Sequence, residues 1–522
     1  MQEVENCDAN PDGFGIARMA GMQPVWREFS EPMGAHNQAK PAILCKQRRS
    51  KLFWAMSEPR SVRDPIHGFI RLRGEEADIV ATPVFQRLRG IRQLAFANLV
   101  YPGALHTRFE HTLGVFHVTS LMSEVCKLSV EHERLVRLSA LLHDLGHGPF
   151  SHVSEGALEI FADRDKLAGR LNPKKPEKIH ELVTQDFLRT DQNLIHLLGK
   201  RTLSQIESLL SHGYDEPFLK SIDSGPLDAD KQDYLLRDTY FCGVKYGTYD
   251  LQQLHRELEV VEDPMDGRKQ LMVSADGVHA LEQFVLAKYY LTAQVYSHRV
   301  RLITDQMVVR AITLGIEEDQ IESLKGLYTY DGEEQFVRNY MVWDDARFLL
   351  EFGAEKLNGK YCRDLVLRLS QRRLLKRIFE SRVSHLPEIC RDRITALTKP
   401  ENRGLRRTLE STLAAAIAEA GVKLDSTLKD PSHLVVAHSY SLKSVRAQSR
   451  NDEGSIMVHT TPNPTPFEEE SDLFKSIDEK LNDPHFAVYA PVAYENPGER
   501  RTLFNRVKEP ILNCLEGFGN GE

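Results

Sequence analysis

Between Thr112 and Leu142 apolar residues recur at helical spacing, first at Val115, Val118, Leu121, Met122 and Val125, then at Leu135, Val136, Leu138, Leu141 and Leu142. Stripes of this width must bury against other helices. The second run ends abruptly on His143-Asp144, because Gly146, Gly148 and Pro149 follow and cannot continue a helix. The pattern therefore predicts a helical body with an ionisable pair at a helix end. Further helical spacing over 155–220 (interrupted by a Lys174-Lys175-Pro176 loop), 228–241, 278–315 and 342–382 extends that body. Thr82-Pro83 opens another helix through Phe85, Leu88 and Ile91, and Gly68-Phe69-Ile70-Arg71-Leu72 reads as a short strand.

The two ends of the chain read differently. Residues 1–56 show no clean period and close on Lys46-Gln47-Arg48-Arg49-Ser50-Lys51, which suggests a poorly ordered extension; translation from Met1 or from Met56 stays open. Near Thr398 the texture changes again. A connection at Lys399-Pro400-Glu401 leads to a helix at 405–420, strand-like runs at Leu434-Val435-Val436-Ala437 and Phe486-Ala487-Val488-Tyr489, and helical spacing at 471–481 and 500–515. Between the strands, Thr461 to Glu470 is a Pro-rich, acidic loop that need not pack. The expected division is an extension (1–56), a mainly α body (57–398) and a small α+β appendage (399–522).

Composition excludes several classes. Sixty-seven Lys and Arg against 75 Asp and Glu leave a net charge of −8, without the global basic excess of a protein that coats nucleic acid. Seven scattered cysteines, never spaced Cys-x-x-Cys, speak against a disulfide framework or a structural zinc cluster and fit a reducing cytoplasm. No run approaches the roughly 18 apolar residues of a membrane span, so no membrane partner is expected. The 20 histidines point toward a transition metal instead.

Four residues could converge on such an ion: His111 near the start of one helix, the His143-Asp144 pair at the end of a second, and Asp230 at the opening of a third. Neighbouring helical residues diverge by about 100°, so His143 and Asp144 share an ion only if it sits beside the helix end. The glycine-rich break lies there. Taken singly, each of these residues is more commonly a hydrogen-bonded structural group. Asp230, Tyr234 and Asp238, spaced i, i+4, i+8, fall along one face of their helix, while Asp233 and Arg237 read as an ordinary i, i+4 ion pair.

Three literal strings make the set specific: Arg108-Phe109-Glu110-His111-Thr112-Leu113-Gly114-Val115, the run from Leu142 to His152, and the run from Asp230 to Asp238. With these the chain resembles the HD-domain phosphohydrolases, and within them most closely the deoxynucleoside triphosphate triphosphohydrolases of the SAM-and-HD-domain type, although no SAM domain is legible in residues 1–56. The resemblance runs from about Arg63 to Arg382. It implies an HD-domain helical body and a divalent metal (Fe, Mn, Zn or Mg) held by His111, His143, Asp144 and Asp230. It also implies hydrolysis of a deoxynucleotide substrate to deoxynucleoside and inorganic triphosphate. Phosphate ester hydrolysis needs activated water, cations around the phosphoryl oxygens and a proton for the leaving alkoxide. By resemblance His152, His180 and Glu181 are catalytic, with Glu181 orienting His180. Arg108 meets the α-phosphate, Lys231 and Tyr234 meet phosphates, and His147 stands beside the substrate. Asp238 meets the sugar hydroxyl and Gln93-Leu94 packs on the deoxyribose.

The chain also departs from those relatives. They carry arginine where this sequence has Lys288, eight residues before Tyr296, and a lysine lacks the bidentate fork for a terminal phosphate. They carry aspartate, which reads guanine in an activating nucleotide, where this sequence has Ala81; Gln86 and Arg89 of that segment are kept. A different nucleotide activator thus stays open. A homodimer or homotetramer is implied, with interfaces at 60–90 and 342–382. Residues 363–382 hold seven Lys and Arg, of which Arg368, Arg372 and Lys376 fall at helical spacing, a solvated face or a track for single-stranded nucleic acid. Two alternatives therefore stand beside the leading one: a nuclease or phosphodiesterase for single-stranded nucleic acid or oligonucleotides, and a catalytically idle nucleotide or nucleic-acid sensor.

Overall fold

Capping residues set the three helices that matter most. In a computed structural model of the chain, Thr107 and Glu110 form a capping box at the start of helix Arg108–Val125, with the Thr107 N–H donating to Glu110 at 2.9 Å. Ser129 caps Val130–Leu142, and Asp228 caps Ala229–Cys242 by accepting from the Lys231 N–H at 2.7 Å. The structure describes residues 60–517 apart from 171–177, 212–213, 215, 263–266, 398–401, 442–445, 452–453, 462, 477–482 and 495. The expected extension 1–56, the Lys174-Lys175-Pro176 loop and the Lys399-Pro400-Glu401 connection lie outside them.

Helices Arg108–Val125 and Ala229–Cys242 pack closely because Gly114 leaves room. A Cβ there would come within 1.9 Å of Asp233 Oδ1 and 2.3 Å of Arg237 Nη2. Around this pair the described residues form a mainly α body with one large apolar core. An antiparallel hairpin, Arg60–Asp64 with Gly68–Leu72, lies at its start.

The last third is α+β, as expected. His485–Ala490 is the centre of a three-stranded antiparallel sheet between Lys376–Arg382 and Val436–Tyr440. Helices Glu388–Leu397, Arg403–Glu419 and Pro497–Gly517 accompany it, and Phe379, Leu413, Phe486 and Ile511 belong to its separate core. One strand of that sheet thus comes from before residue 398. Met457–His459 runs parallel to Lys269–Ser274 and so inserts into a sheet of the body.

Several local expectations fail for identifiable reasons. The basic helix over 363–382 does not exist: helix Tyr361–Ser370 stops, Arg372 takes a left-handed φ of 56°, and Lys376–Arg382 is a strand that pairs with His485–Ala490. Leu374, Leu375, Ile378 and Phe379 are buried, so tertiary pairing overrides the spacing of the basic residues. The 342–382 pattern therefore splits, beginning with a separate helix at Asp345–Phe352. Leu434 belongs to a 3₁₀ turn and the strand starts at Val436. The acidic loop does pack: Phe467–Glu470 is a helical turn, and buried Glu468 accepts from Ser455 Oγ at 3.0 Å and Ser449 Oγ at 3.2 Å. The Thr82 helix is short, Pro83–Gln86 with a 3₁₀ continuation to Gly90.

No described helix is long and apolar enough to cross a membrane. Cys126, Cys242, Cys362, Cys390 and Cys514 are free thiols.

Candidate active site

Helix Val130–Leu142 ends at His143, and the chain then turns through Asp144 to Ser151 before the next helix, His152–Phe161. Gly146 permits that turn to lie against helix Ile179–Thr190. A Cβ there would stand 2.0 Å from the His180 carbonyl oxygen and 2.5 Å from the Thr184 nitrogen. Two consecutive non-glycine residues then take positive φ, Phe150 at 63° and Ser151 at 56°. Such conformations cost on the order of 1–3 kcal/mol each and persist only where the surroundings enforce them.

The four expected metal ligands come together. Donor atoms of His111, His143 and Asp144 all lie within 4.8 Å of one another, and His111 Nε2 stands 2.9 Å from Asp230 Oδ1. His143 Nδ1 donates to the Ala140 carbonyl at 2.9 Å, which leaves Nε2 as the lone-pair nitrogen. That Nε2 is buried without a hydrogen-bond partner, 3.3 Å from Asp144 Oδ1. His111 Nδ1 bonds Asp233 Oδ2 at 2.9 Å. Two imidazoles, two carboxylates and an orphaned inward nitrogen suit a divalent transition metal.

Charge within the cluster is mutually supporting. Burial alone would raise the Asp144 carboxyl, but Arg108, then His143 and His111, hold it well below the usual carboxylate range. Burial is likewise outweighed at Asp230, where the His111 hydrogen bond keeps the carboxylate ionised. At His111 burial opposes protonation, yet the bonds to Asp230 and Asp233 push its pKa up to about 10.

A cavity of about 270 Å³ opens over this cluster. Arg108 lines it: Nη1 donates to Asp144 Oδ2 at 2.5 Å, Nε donates to Ser151 Oγ at 2.8 Å, and Nη2 is buried without a partner. Gln93, with an orphaned Oε1, shares the wall with Tyr234 and Lys231, whose Nζ donates to Asp228 Oδ2 at 2.6 Å. His147 and His180 stack at 3.9 Å between ring centroids, and exposed His152 stands edge-on to His147 at 4.7 Å. Burial, followed by the positive charge of Arg108 and the neighbouring imidazoles, keeps His147 neutral. His147, His152 and His180 form a second group of donor atoms within 4.8 Å.

Not every expected residue reaches the cavity. Leu94 is buried in the main core. Asp238 lies behind the wall, bonded to His106 Nε2 at 2.8 Å and to Tyr296 Oη at 2.6 Å. Lys288 Nζ donates to the Gln448 carbonyl at 2.8 Å, off the cavity lining.

Two expected roles are corrected. Glu155, not Glu181, orients His180, since its Oε2 meets His180 Nδ1 at 2.9 Å. Glu181 is exposed at the cavity rim and accepts the Lys178 N–H at the start of its helix. The signal for Glu155 was its position three residues after His152 on one helix face. Asp233 is more than a partner for Arg237: with bonds of 2.8 and 2.9 Å to that guanidinium it also serves His111 and, at 2.7 Å, His67. Asp223 was missed altogether. It lines the cavity with its carboxyl raised to about 6, chiefly by burial.

Comparison with known proteins agrees with this architecture. Residues 108–237 match the HD domain and residues 249–502 match the HD associated region. The chain thus carries an HD domain followed by an HD associated region. An uncharacterized protein of Methanocaldococcus jannaschii is 35% identical over 270 residues, 52% of this chain and 52% of that protein. The deoxynucleoside triphosphate triphosphohydrolase SAMHD1 of Gallus gallus is 27% identical over 371 residues, 65% of this chain and 60% of that protein. The matches thus span only about half to three-fifths of these relatives. A phosphohydrolase structure from Bacteroides thetaiotaomicron shares the fold, with a TM-score of 0.61 at 24% identity over 83% of this chain and 100% of that one.

Proposed function

We propose that the protein hydrolyses deoxynucleoside triphosphates at the α-phosphorus, releasing deoxynucleoside and inorganic triphosphate. The observation that carries this reading is the His111, His143, Asp144 and Asp230 cluster beneath a cavity lined by Arg108, whose buried Nη2 has no hydrogen-bond partner. A divalent metal held by those four residues would supply Lewis acidity and lower the pKa of water. Arg108 offers a fixed cation to the α-phosphate oxygens, and Lys231 and Tyr234 face the same space. His180, aimed by Glu155, supplies the leaving alkoxide with its proton, directly or through His152. The similarity to the deoxynucleoside triphosphate triphosphohydrolase of Gallus gallus supports the substrate class. An oligomer and a nucleotide activator belong to the same proposal.

A second reading, a phosphodiesterase for single-stranded nucleic acid, is favoured by two observations. Lys288 is engaged by Gln448 rather than facing the cavity. A separate pocket gathers Arg299, Arg372, Lys376, Arg377 and Arg500, a surface for a polyanion. Product analysis separates the readings: metal-loaded protein is incubated with each dNTP, each rNTP and labelled single-stranded DNA. Inorganic triphosphate from dNTPs supports the first reading. Shortened strands with intact dNTPs would replace it with the second.

A further inference from the structure

Behind helix Ala229–Cys242, on the far side from the metal cluster, lies an open cleft of about 930 Å³, more than three times the catalytic cavity of about 270 Å³. Three imidazoles converge on it: His67 from the turn after strand Arg60–Asp64, His117 from helix Arg108–Val125, and His255 from helix Leu251–Arg256. His67 and His117 rings stand 5.0 Å apart, and His255 Nε2 bonds Gln232 Oε1 at 2.6 Å. The His117 ring lines the cleft and makes no hydrogen bond among the described residues.

The chemistry of the lining selects a ligand. Burial, with the neighbouring imidazoles adding to it, lowers His117 and His255 to about 4, so both are neutral donors and acceptors at neutral pH. Thr248, Gln252 and Gln283 add further uncharged polar groups, while Leu121, Val125 and Leu236 supply apolar walls. Fixed charge consists of Arg256 against Glu124 and Asp250, an excess of one negative charge that repels phosphates. A planar, uncharged heterocycle with several hydrogen-bonding edges suits such a cleft.

One carboxylate joins this cleft to the metal cluster. Asp233 is fully buried; its Oδ1 meets His67 Nε2 at 2.7 Å and its Oδ2 meets His111 Nδ1 at 2.9 Å. A ligand that shifts His67 therefore shifts the group that orients a metal-ligating imidazole, by a contiguous chain of three hydrogen-bonded side chains.

We propose that this cleft is a second ligand site for an uncharged nucleoside, and that its occupant lowers turnover through His67 and Asp233. The feedback role rests on the proposed function, in which a deoxynucleoside is the product; occupancy of the cleft does not.

The test uses metal-loaded full-length protein and two variants that fill the cleft from different walls, Leu121→Trp and the exposed Gln252→Trp, with each of the four deoxynucleosides as probe. Titration calorimetry on wild type is expected to show a binding event that weakens at least tenfold in both variants. In rate assays the nucleoside is expected to lower kcat rather than raise KM, and His67→Phe is expected to bind it yet lose that response. Unchanged binding in Gln252→Trp, or purely competitive inhibition in wild type, would overturn the proposal. If the protein proves not to hydrolyse dNTPs, the binding comparison alone still decides whether the cleft is a site.

Discussion

Asp345 Oδ1 accepts the backbone N–H of Phe150 at 2.7 Å, so a residue of the HD-associated region clamps the strained turn that leads out of the metal cluster. Its Oδ2 accepts the Arg92 N–H at 3.1 Å, and Ser151 Oγ donates to the Arg92 carbonyl at 2.7 Å while accepting from Arg108 Nε at 2.8 Å. Asp345 thereby fixes the pose of Arg108 without touching the cavity. Asp345→Ala should leave the buried Phe150 N–H unpaired, at about 1–3 kcal/mol, and free the half-buried Arg92 N–H as well. Turnover should fall tenfold or more while metal content stays near wild type. Metal analysis beside kinetics checks this, and loss of metal in step with activity would contradict the positioning role.

Glu155 and Glu181 offer a discriminating pair. Glu155→Gln removes the charge that holds His180 Nδ1, and should lower kcat by roughly a hundredfold, within the usual range for general acid–base contributions. Glu181→Gln alters an exposed helix start and should stay within about twofold of wild type, with a change in melting temperature that reflects at most about 1 kcal/mol. Equal losses in the two variants would restore Glu181 to the site.

Asp230 is partly exposed at its helix start, so its removal should not cost packing. Asp230→Ala should abolish hydrolysis and weaken metal retention while circular dichroism and melting remain close to wild type. A folded variant with full turnover would sink the ligand assignment.

What the sequence made legible divides along physical lines. The metal cluster lies at the ends of capped helices, so His111, His143, Asp144 and Asp230 could be raised as a converging set, and the literal strings around them, with the resemblance those carry, made the set specific. Hydrogen bonds between distant elements carry no such local mark. Glu155 and Glu181 are both acidic residues in the first turn of a helix, and only packing of the two helices decides which one faces His180. Arg372 and Lys376 illustrate the opposite failure, because helical spacing of charges was satisfied in a segment whose buried Ile378 and Phe379 belong to a sheet completed more than 100 residues later. Asp345 and Asp233 were beyond reach for the same reason: their partners are Phe150 and His67, 195 and 166 residues away.

Gly146→Ala isolates the close approach of the turn to helix Ile179–Thr190. The added methyl would meet backbone atoms rather than a movable side-chain end, so either the turn or the helix must shift. Overpacking of this kind costs about 1–3 kcal/mol. Because the obstructing carbonyl belongs to His180, activity should fall further than stability alone explains. Chemical denaturation with parallel rate measurement tests the pair of effects, and a fully active variant would show that the contact yields without consequence.

The last prediction concerns pH. Burial raises the Asp345 carboxyl to about 6, against the lowering effect of the Phe150 and Arg92 N–H groups and of the Arg92 charge, with Asp344 adding slightly to the rise. An unfolded aspartate titrates near 4, so between about 4 and 6 the folded protein holds more protons at this position than the unfolded chain. Acidification through that window therefore adds stability from this group, and a rise in pH through it removes that contribution. Function runs the other way, because a protonated carboxyl gives one oxygen to its proton and weakens one backbone bond of the clamp. Wild-type turnover should thus decline below about pH 6 without a matching fall in melting temperature from this residue. Asp345→Asn cannot titrate, so its turnover should start lower and lose that step in the acid limb. Paired pH profiles of kcat and melting temperature for both proteins check this; an acid limb identical in the two would assign it to a different group.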